Sequence, residues 1–191
     1  MGNETELKQY SWLMSKIYSL MLLFYKDTFV TDTFMSMVEP SKTILEIGSG
    51  TGRDFNLFDK KYKITGSDYS DSFLKSLRRK HKGKQFYRIN ALTMDIGENF
   101  DVIYSNKVLQ HLLPDQLEKS LSSQYKVLNP GGVLFHSMWK GNIKENKNRD
   151  MPDTLYEKVD LEKIKGKFKI EAFIVYKEIK EADSFIVIFR K

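Results

Sequence analysis

The segment Thr43–Asp54, TILEIGSGTGRD, constrains the fold of this chain more than any other stretch. Its first five residues are β-branched or aliphatic around a single glutamate, which is the pattern of a buried parallel strand. Glycines follow at Gly48, Gly50 and Gly52, and glycine permits a positive φ and a close approach of a ligand to the backbone. A helix is predicted from Asp54. A strand that runs through a glycine turn into a helix presents backbone N–H groups to a polar or anionic ligand.

The spacing of these glycines selects among the ligands that such a turn binds. A dinucleotide-binding turn, as in NAD-dependent oxidoreductases, has the order G-x-G-x-x-G, and a P-loop has a lysine after its last glycine. Here the last two glycines are one residue closer together, and no lysine follows them. The order E-x-G-x-G-x-G instead resembles motif I of the class I S-adenosylmethionine-dependent methyltransferases. The resemblance implies that the amino-acid end of S-adenosylmethionine contacts Glu46, Gly48, Ser49, Gly50 and Gly52.

Two later stretches extend the resemblance over roughly Thr43–Trp139. The stretch FDVIYSNKVLQHL, which begins at Phe100, is similar to motif IV of the family and the loop after it. The stretch LNPGGVLF, which begins at Leu128, is also typical of the family. From this resemblance we expect further cofactor contacts at Ser105 and Asn106.

The predicted second strand ends in a carboxylate, Asp68, which lies 22 residues after Glu46. At that distance past a glycine turn, a carboxylate can accept hydrogen bonds from both hydroxyls of a ribose. Asp68 is therefore a candidate ribose ligand, and the alternative is a solvated loop residue or the N-cap of the next helix. Tyr69 is a candidate for the adenine face, with an exposed surface tyrosine as its alternative.

The third predicted strand ends at Asn90-Ala91, where the family usually has an acidic residue followed by a small one. The resemblance implies that the side chain of Asn90 accepts a hydrogen bond from the adenine amino group and that the N–H of Ala91 donates to the ring. Asparagine departs from the acidic pattern, but its carbonyl oxygen still accepts. Asp95 is the alternative acceptor in this loop.

The order of the predicted elements indicates the fold. Strand and helix patterns alternate from Thr43 to Trp139, and two strand-like runs at 168–179 and 184–190 follow. This order predicts an α/β fold, a Rossmann-like doubly wound sheet with a terminal antiparallel strand, which is the seven-stranded methyltransferase fold. Ligands of such sheets bind beyond the carboxyl ends of the strands, at the switch in strand order. The glycine loop, Asp68, Asn90 and Ser105 all fall at such ends.

The N-terminal segment is expected to belong to the same single domain, 1–191, as a helical cap over residues 1–40. Apolar and aromatic residues recur in this segment at steps of three and four, which is typical of one face of a helix. Tyr10, Tyr18 and Tyr25 are candidates for lining an acceptor pocket. The alternative is that these helices only pack on the edge of the core.

Methyl transfer from a sulfonium is an in-line displacement, so the protein must mainly align the reacting atoms and exclude water. A general base is needed only for some acceptors, and His111 is the candidate because histidine is a common general base and this one follows motif IV. The alternative is a structural histidine at the start of a helix. Trp139 and the polar segment 141–152, as a mobile lid, complete the expected acceptor pocket, and the alternative for this segment is a plain surface loop.

Composition limits the remaining classes of function. The chain has no cysteine, which excludes disulfides, thiolate metal sites and cysteine nucleophiles. The net charge of +6 comes from basic residues spread along the chain, so nucleic acid is an unlikely partner. No apolar run approaches the roughly 20 residues of a membrane span, and Glu4 and Glu6 do not suit a secretory leader. We therefore expect a cytoplasmic enzyme with a small-molecule acceptor and no metal.

Two other functions stay open at this point. An RNA methyltransferase would use the basic surface, and its binding would depend steeply on salt. A cofactor-binding protein without catalysis is the second, because the sequence contains no obligatory catalytic residue. The motif N-P-P-Y and its variants, which characterise adenine and glutamine N-methyltransferases, is absent after the fourth strand, where Ser105–Val108 reads SNKV.

Overall fold

The structure, a computed structural model, describes residues 28–141 and 154–191. Seven strands are present in these ranges: β1 Thr43–Ile47, β2 Lys63–Asp68, β3 Phe86–Arg88, β4 Phe100–Asn106, β5 Leu128–Trp139, β6 Lys169–Tyr176 and β7 Ser184–Arg190. The helices are α1 Phe29–Met37, α2 Arg53–Phe58, α3 Asp71–Lys80, α4 Pro114–Val127 and α5 Lys158–Ile164, with a 3-10 turn at Leu109–His111.

All seven strands belong to one sheet with the order β3-β2-β1-β4-β5-β7-β6. Strands β1 to β5 pair in parallel, whereas β7 pairs antiparallel with both β5 and β6. The predicted doubly wound sheet with a terminal antiparallel strand is therefore confirmed.

The switch in strand order lies between β1 and β4, which are neighbours although two strands separate them in sequence. Their register aligns Glu46 with Tyr104. The chain leaves β1 through the glycine loop and leaves β4 through Asn106, so these two segments open at the same edge of the sheet. This is the position at which doubly wound proteins bind their ligands.

The two faces of the sheet carry separate apolar clusters, because β1, β4, β5 and β7 are buried on both sides. On one face α1 contributes Phe34, whose fully buried ring packs edge-on against Tyr104 and Phe135 with centroids 4.9 and 5.2 Å away. Segment 29–37 is thus anchored beneath the sheet by an aromatic cluster. The predicted cap over 1–40 stays a prediction, since residues 1–27, with Tyr10, Tyr18 and Tyr25, lie outside the described residues.

The segment 129–132 forms an irregularity inside β5. Phe100 pairs with Leu128, and Val102 pairs with Val133. A Cβ at Gly132 would stand 2.8 Å from Leu128, so this compact irregularity requires glycine there.

Candidate cofactor and acceptor site

The three glycines after β1 all have positive φ, but they face different surroundings. A Cβ at Gly48 would stand 2.5 Å from the side chain of Val108, and one at Gly52 would stand 2.7 Å from Leu77. At Gly50 the nearest atom of the described residues, the carbonyl oxygen of Gly48, is 3.9 Å away, which is an ordinary contact. Packing therefore requires glycine at the first and third positions, whereas the described residues leave room at the second for a ligand to approach the backbone.

Ser49 fastens the glycine loop to the neighbouring strands. Its hydroxyl donates a hydrogen bond of 2.7 Å to Oε2 of Glu46 and accepts one of 3.1 Å from the N–H of Ser67. Its own N–H donates to the carbonyl oxygen of Ser67 over 2.7 Å. The loop is thereby held in one position by β1 and β2 before any ligand binds.

Glu46 is a buried carboxyl at the base of this loop. The pKa of Glu46 is raised to about 8, mainly by burial and also by the negative charges of Asp54 and Asp68, against the lowering effect of the hydrogen bond from Ser49. A buried carboxyl of this kind gains from a cation placed beside it. The positively charged amino group of S-adenosylmethionine supplies such a cation, so the residues fit the predicted contact.

Asp68 stands at the end of β2, facing the loop. Its Oδ2 accepts the N–H of Gly50 over 2.8 Å, and its Oδ1 accepts the N–H of Ser70 over 2.8 Å. Burial raises the pKa of this carboxyl, and the backbone N–H donors, that of Tyr69 among them, lower it. A carboxylate offers about four lone-pair sites, so both oxygens can still accept from the hydroxyls of a ribose.

The predicted adenine contacts lie on the loops after β2 and β3. The half-buried ring of Tyr69 has the guanidinium of Arg88 4.9 Å from its centroid. The Oδ1 of Asn90 accepts the N–H of Leu92 over 2.9 Å, which shapes the loop and occupies one lone pair of the amide oxygen. Ala91 is buried. The cofactor contacts of these residues stay predictions.

Asp54 lies between the glycine loop and the end of β4. From sequence it is predicted only as the start of a helix. Its Oδ2 accepts hydrogen bonds from the hydroxyl of Tyr104 over 2.7 Å and from the amide of Asn106 over 2.9 Å. Asn106 in turn accepts a hydrogen bond from the hydroxyl of Ser137. These contacts tie α2 to the ends of β4 and β5. The available signal was a carboxylate two residues after the last glycine.

Ser105 is the first member of a network of buried, hydrogen-bonded polar side chains that runs from β4 through β5 to helix α4. Its hydroxyl donates over 2.9 Å to Nδ1 of His136, whose Nε2 donates over 2.9 Å to the amide oxygen of Gln124. The amide nitrogen of Gln124 donates to Ser120, and Ser120 donates to the carbonyl oxygen of Ala91. This network connects two predicted cofactor residues, Ser105 and Ala91, through helix α4.

The loop after β4 carries the candidate base and the acceptor side of the site. His111 closes the 3-10 turn and is half-buried. Trp139 ends β5, and the ammonium of Lys107 lies 3.8 Å from the centroid of its ring. Lys107 also pairs with Glu178, with Nζ 2.7 Å from Oε2. Neither the charged pair nor its contact with Trp139 was anticipated from sequence, and the roles of His111 and Trp139 stay predictions.

Metal and membrane features can be judged for ranges 28–141 and 154–191. In these ranges no group of three or more histidine, aspartate or glutamate side chains is placed to hold a metal ion. No helix there is long and apolar enough to cross a membrane.

The sheet order and the glycine loop at its switch point define a class I methyltransferase fold. Comparison with protein families gives the same result, because residues 45–134 match the family model described as a methyltransferase domain. Residues 45–134, a little less than half of the chain, therefore resemble a methyltransferase domain.

Known methyltransferases resemble the chain in sequence and in structure. Phosphoethanolamine N-methyltransferase of Plasmodium falciparum is 30% identical over 109 residues, which cover 54% of this chain and 41% of the relative. The N-methyltransferase NodS of Bradyrhizobium japonicum, solved with S-adenosylhomocysteine, superposes with a TM-score of 0.68 at 18% identity, covering 86% of this chain and 84% of NodS. The glycopeptide N-methyltransferase MtfA, solved with S-adenosylmethionine, has a TM-score of 0.69 at 15% identity, covering 87% and 95%.

The curated relatives are longer than this chain. The matched part spans from 20% to 41% of their length. The similarity therefore concerns the methyltransferase domain, and the structural likeness, at low identity, concerns the fold.

Proposed function

We propose that this chain transfers the methyl group of S-adenosylmethionine to a small-molecule acceptor and releases S-adenosylhomocysteine. The glycine loop and Glu46 would hold the methionine end of the cofactor, Asp68 its ribose, and the loops at Tyr69 and Asn90 its adenine. The acceptor would bind between the loop after β4 and Trp139. A cytoplasmic location is also part of the proposal.

The observation that carries the proposal is the pairing of Asp68 with the backbone of Gly50. The loop is fixed by side chains of β1 and β2, the described residues leave room beside its central glycine, and a carboxylate with remaining acceptor sites lies across from it. This arrangement can bind a nucleoside sugar beside an amino-acid end without a phosphate-binding lysine.

Calorimetry with S-adenosylmethionine tests the cofactor part. We expect Asp68→Ala to weaken binding by ~1–3 kcal/mol through the lost charge-assisted hydrogen bonds. The matched control is Asp71→Ala, since Asp71 is an exposed carboxylate whose partner is Arg88, 3.2 Å away. Equal affinities of the two variants, measured below their melting temperatures, would refute the ribose role of Asp68.

An assay of methyl transfer tests the second part of the proposal, which is catalysis on a small-molecule acceptor. Incubation with S-adenosylmethionine and a panel of small amines, thiols and carboxylic acids should release S-adenosylhomocysteine with at least one acceptor class. Cofactor binding without release for any acceptor would favour the non-catalytic alternative. Release that requires RNA, with binding that falls steeply between low and high salt, would favour an RNA substrate. If His111 acts as a base, His111→Ala should lower kcat without changing cofactor affinity.

A further inference from the structure

We propose that Glu178, Trp139, Tyr176 and Ser184 form a subsite for an ammonium group of the acceptor, and that the side chain of Lys107 occupies this subsite in the structure. The assignment of the ammonium to the methyl acceptor rests on the proposed function. The existence of a cation subsite does not, and it can be tested separately.

The contacts of the Lys107 ammonium define the subsite. Its Nζ lies 2.7 Å from Oε2 of Glu178 and 2.8 Å from the hydroxyl oxygen of Ser184. The ring centroids of Trp139 and Tyr176 are 3.8 and 5.4 Å from the same nitrogen. One carboxylate, one hydroxyl and two aromatic faces therefore surround a single positive charge, and each of these groups attracts an ammonium.

The subsite is organised without help from the lysine. Oε2 of Glu178 also accepts hydrogen bonds from the hydroxyls of Tyr176, over 3.2 Å, and Ser184, over 3.0 Å. Burial raises the pKa of the Tyr176 hydroxyl, and the neighbouring Glu178 raises it further, so the phenol stays protonated and donates. On the outer side, the ring of Phe29 stacks on Tyr176 with centroids 5.0 Å apart. The position of the carboxylate is therefore set by its neighbours.

The backbone of Lys107 has a conformation that is energetically unfavourable for lysine. Its φ is 57°, in the left-handed region that is costly for residues other than glycine and that concentrates at functional sites. The N–H donates to Ser137 on β5 over 3.1 Å. Lys107 directly follows Asn106, which contacts Asp54 at the end of the glycine loop. The subsite therefore adjoins the switch point where the cofactor is expected.

The lysine side chain can leave the subsite while its backbone stays in place. Its stem has four rotatable bonds and its charge is at the tip, and the side chains of Lys107 and Glu178 are each 11% exposed. An acceptor with a primary or methylated amino group offers the same ammonium chemistry as lysine. Such an acceptor would displace Lys107 and leave the lysine charge to solvent.

The alternative is an ordinary partly buried ion pair, in which the lysine serves only stability. The two interpretations differ in whether an alkylammonium ion can displace the lysine side chain from the wild-type protein. In a structural ion pair the tethered lysine does not exchange, so the wild type would respond to alkylammonium ions only as to any salt. A cation subsite would exchange the lysine ammonium for an alkylammonium ion from solution.

The test uses the full chain with Lys107→Gly, because glycine removes the side chain and also relieves the positive φ. In a Trp12→Phe background, Trp139 becomes the only tryptophan of the chain. Titration with n-butylammonium chloride should change the Trp139 fluorescence saturably and raise Tm in Lys107→Gly. In the protein that keeps Lys107 the same saturable change should occur at higher concentrations, because the alkylammonium ion must displace the lysine. We expect the apparent affinity of Lys107→Gly to exceed that of the Lys107→Gly/Glu178→Gln double variant at least tenfold. Neutral n-butanol should have no comparable effect.

A matched control is Lys140→Gly, which removes a lysine paired with Glu157 over 3.1 Å, outside the aromatic cage. Absence of any saturable response in Lys107→Gly or in the protein that keeps Lys107, or an equal response in the control, would overturn the proposal. So would a Lys107→Gly variant that fails to fold even in butylammonium, since the site would then require a tethered lysine. Calorimetry with S-adenosylmethionine on the same variants separates this result from the proposed function, because the cofactor site does not include Lys107.

Discussion

Asn106 and Asp54 are 52 residues apart in sequence, yet the side-chain amide of the first donates a hydrogen bond of 2.9 Å to the carboxylate of the second. The hydroxyl of Tyr104 donates to the same carboxylate oxygen over 2.7 Å. One acidic side chain thus fixes the helix after the glycine loop against the end of β4. The geometry of the switch point depends on this contact.

Asp54→Ala is expected to destabilise the protein, because it leaves two donors without their acceptor at a cost of about 1–3 kcal/mol each. The cost should be smaller in a Tyr104→Phe background, where one donor is already absent, with a coupling of about 0.5–3 kcal/mol. Urea unfolding of the wild type, both single variants and the double variant measures this coupling. Additive costs would show that the Tyr104 contact contributes nothing to stability.

Glu46 should make stability depend on pH between about 4.5 and 8. Its pKa is raised to about 8, mainly by burial, so over this range the folded state binds more protons than the unfolded state. The free energy of unfolding should therefore fall as pH rises, by at most about 1.4 kcal/mol per pH unit. The difference between wild type and Glu46→Gln isolates this effect, because other groups titrate in both. A difference that stays constant from pH 5 to 8 would contradict the raised pKa.

His136 should produce the opposite dependence at lower pH. Burial lowers the pKa of His136 to about 3, so between about 3 and 6.5 the unfolded state binds the additional proton. The stability that the neutral histidine supplies is complete above pH 6.5 and is lost as pH falls. His136→Phe removes the titration, although it also leaves Ser105 without its acceptor. The stability difference between wild type and variant should therefore shrink on acidification, and an unchanged difference would argue against a neutral histidine.

The glycine loop allows stability and cofactor binding to be separated. Gly48→Ala should lower Tm, because the new Cβ meets the side chain of Val108 at 2.5 Å. Val108→Ala should recover part of that loss by removing the clash. Gly50→Ala introduces strain at a positive φ but no clash with the described residues. It should therefore lower Tm less than Gly48→Ala does, and it should still weaken the binding of S-adenosylmethionine. Melting curves with and without cofactor decide this, and full affinity in Gly50→Ala would contradict a cofactor beside Gly50.

The sequence predicted the features that short-range patterns encode. The glycine loop, the strand end at Asp68 and the antiparallel pairing of the last strands each follow from neighbouring residues and from the alternation of strands and helices, whereas β3 ends at Arg88, two residues before the predicted end at Asn90. The contacts of Asp54 with Asn106 and of Ser105 with His136 could not be found in this way, because they depend on the register between strands that only the folded sheet fixes. The Lys107–Glu178 pair depends in addition on an unfavourable φ, which nothing in the local sequence favours.

The placement of β7 between β5 and β6 has a consequence for how the sheet is built. Strand β6 is synthesised first, but its partner within the described sheet is β7, so it cannot join the sheet until the later strand is available. Residues 184–190 must therefore have left the ribosome before these two of the seven strands are added. Until then, the backbone N–H and C=O groups along that edge of β5 lack their β7 partners.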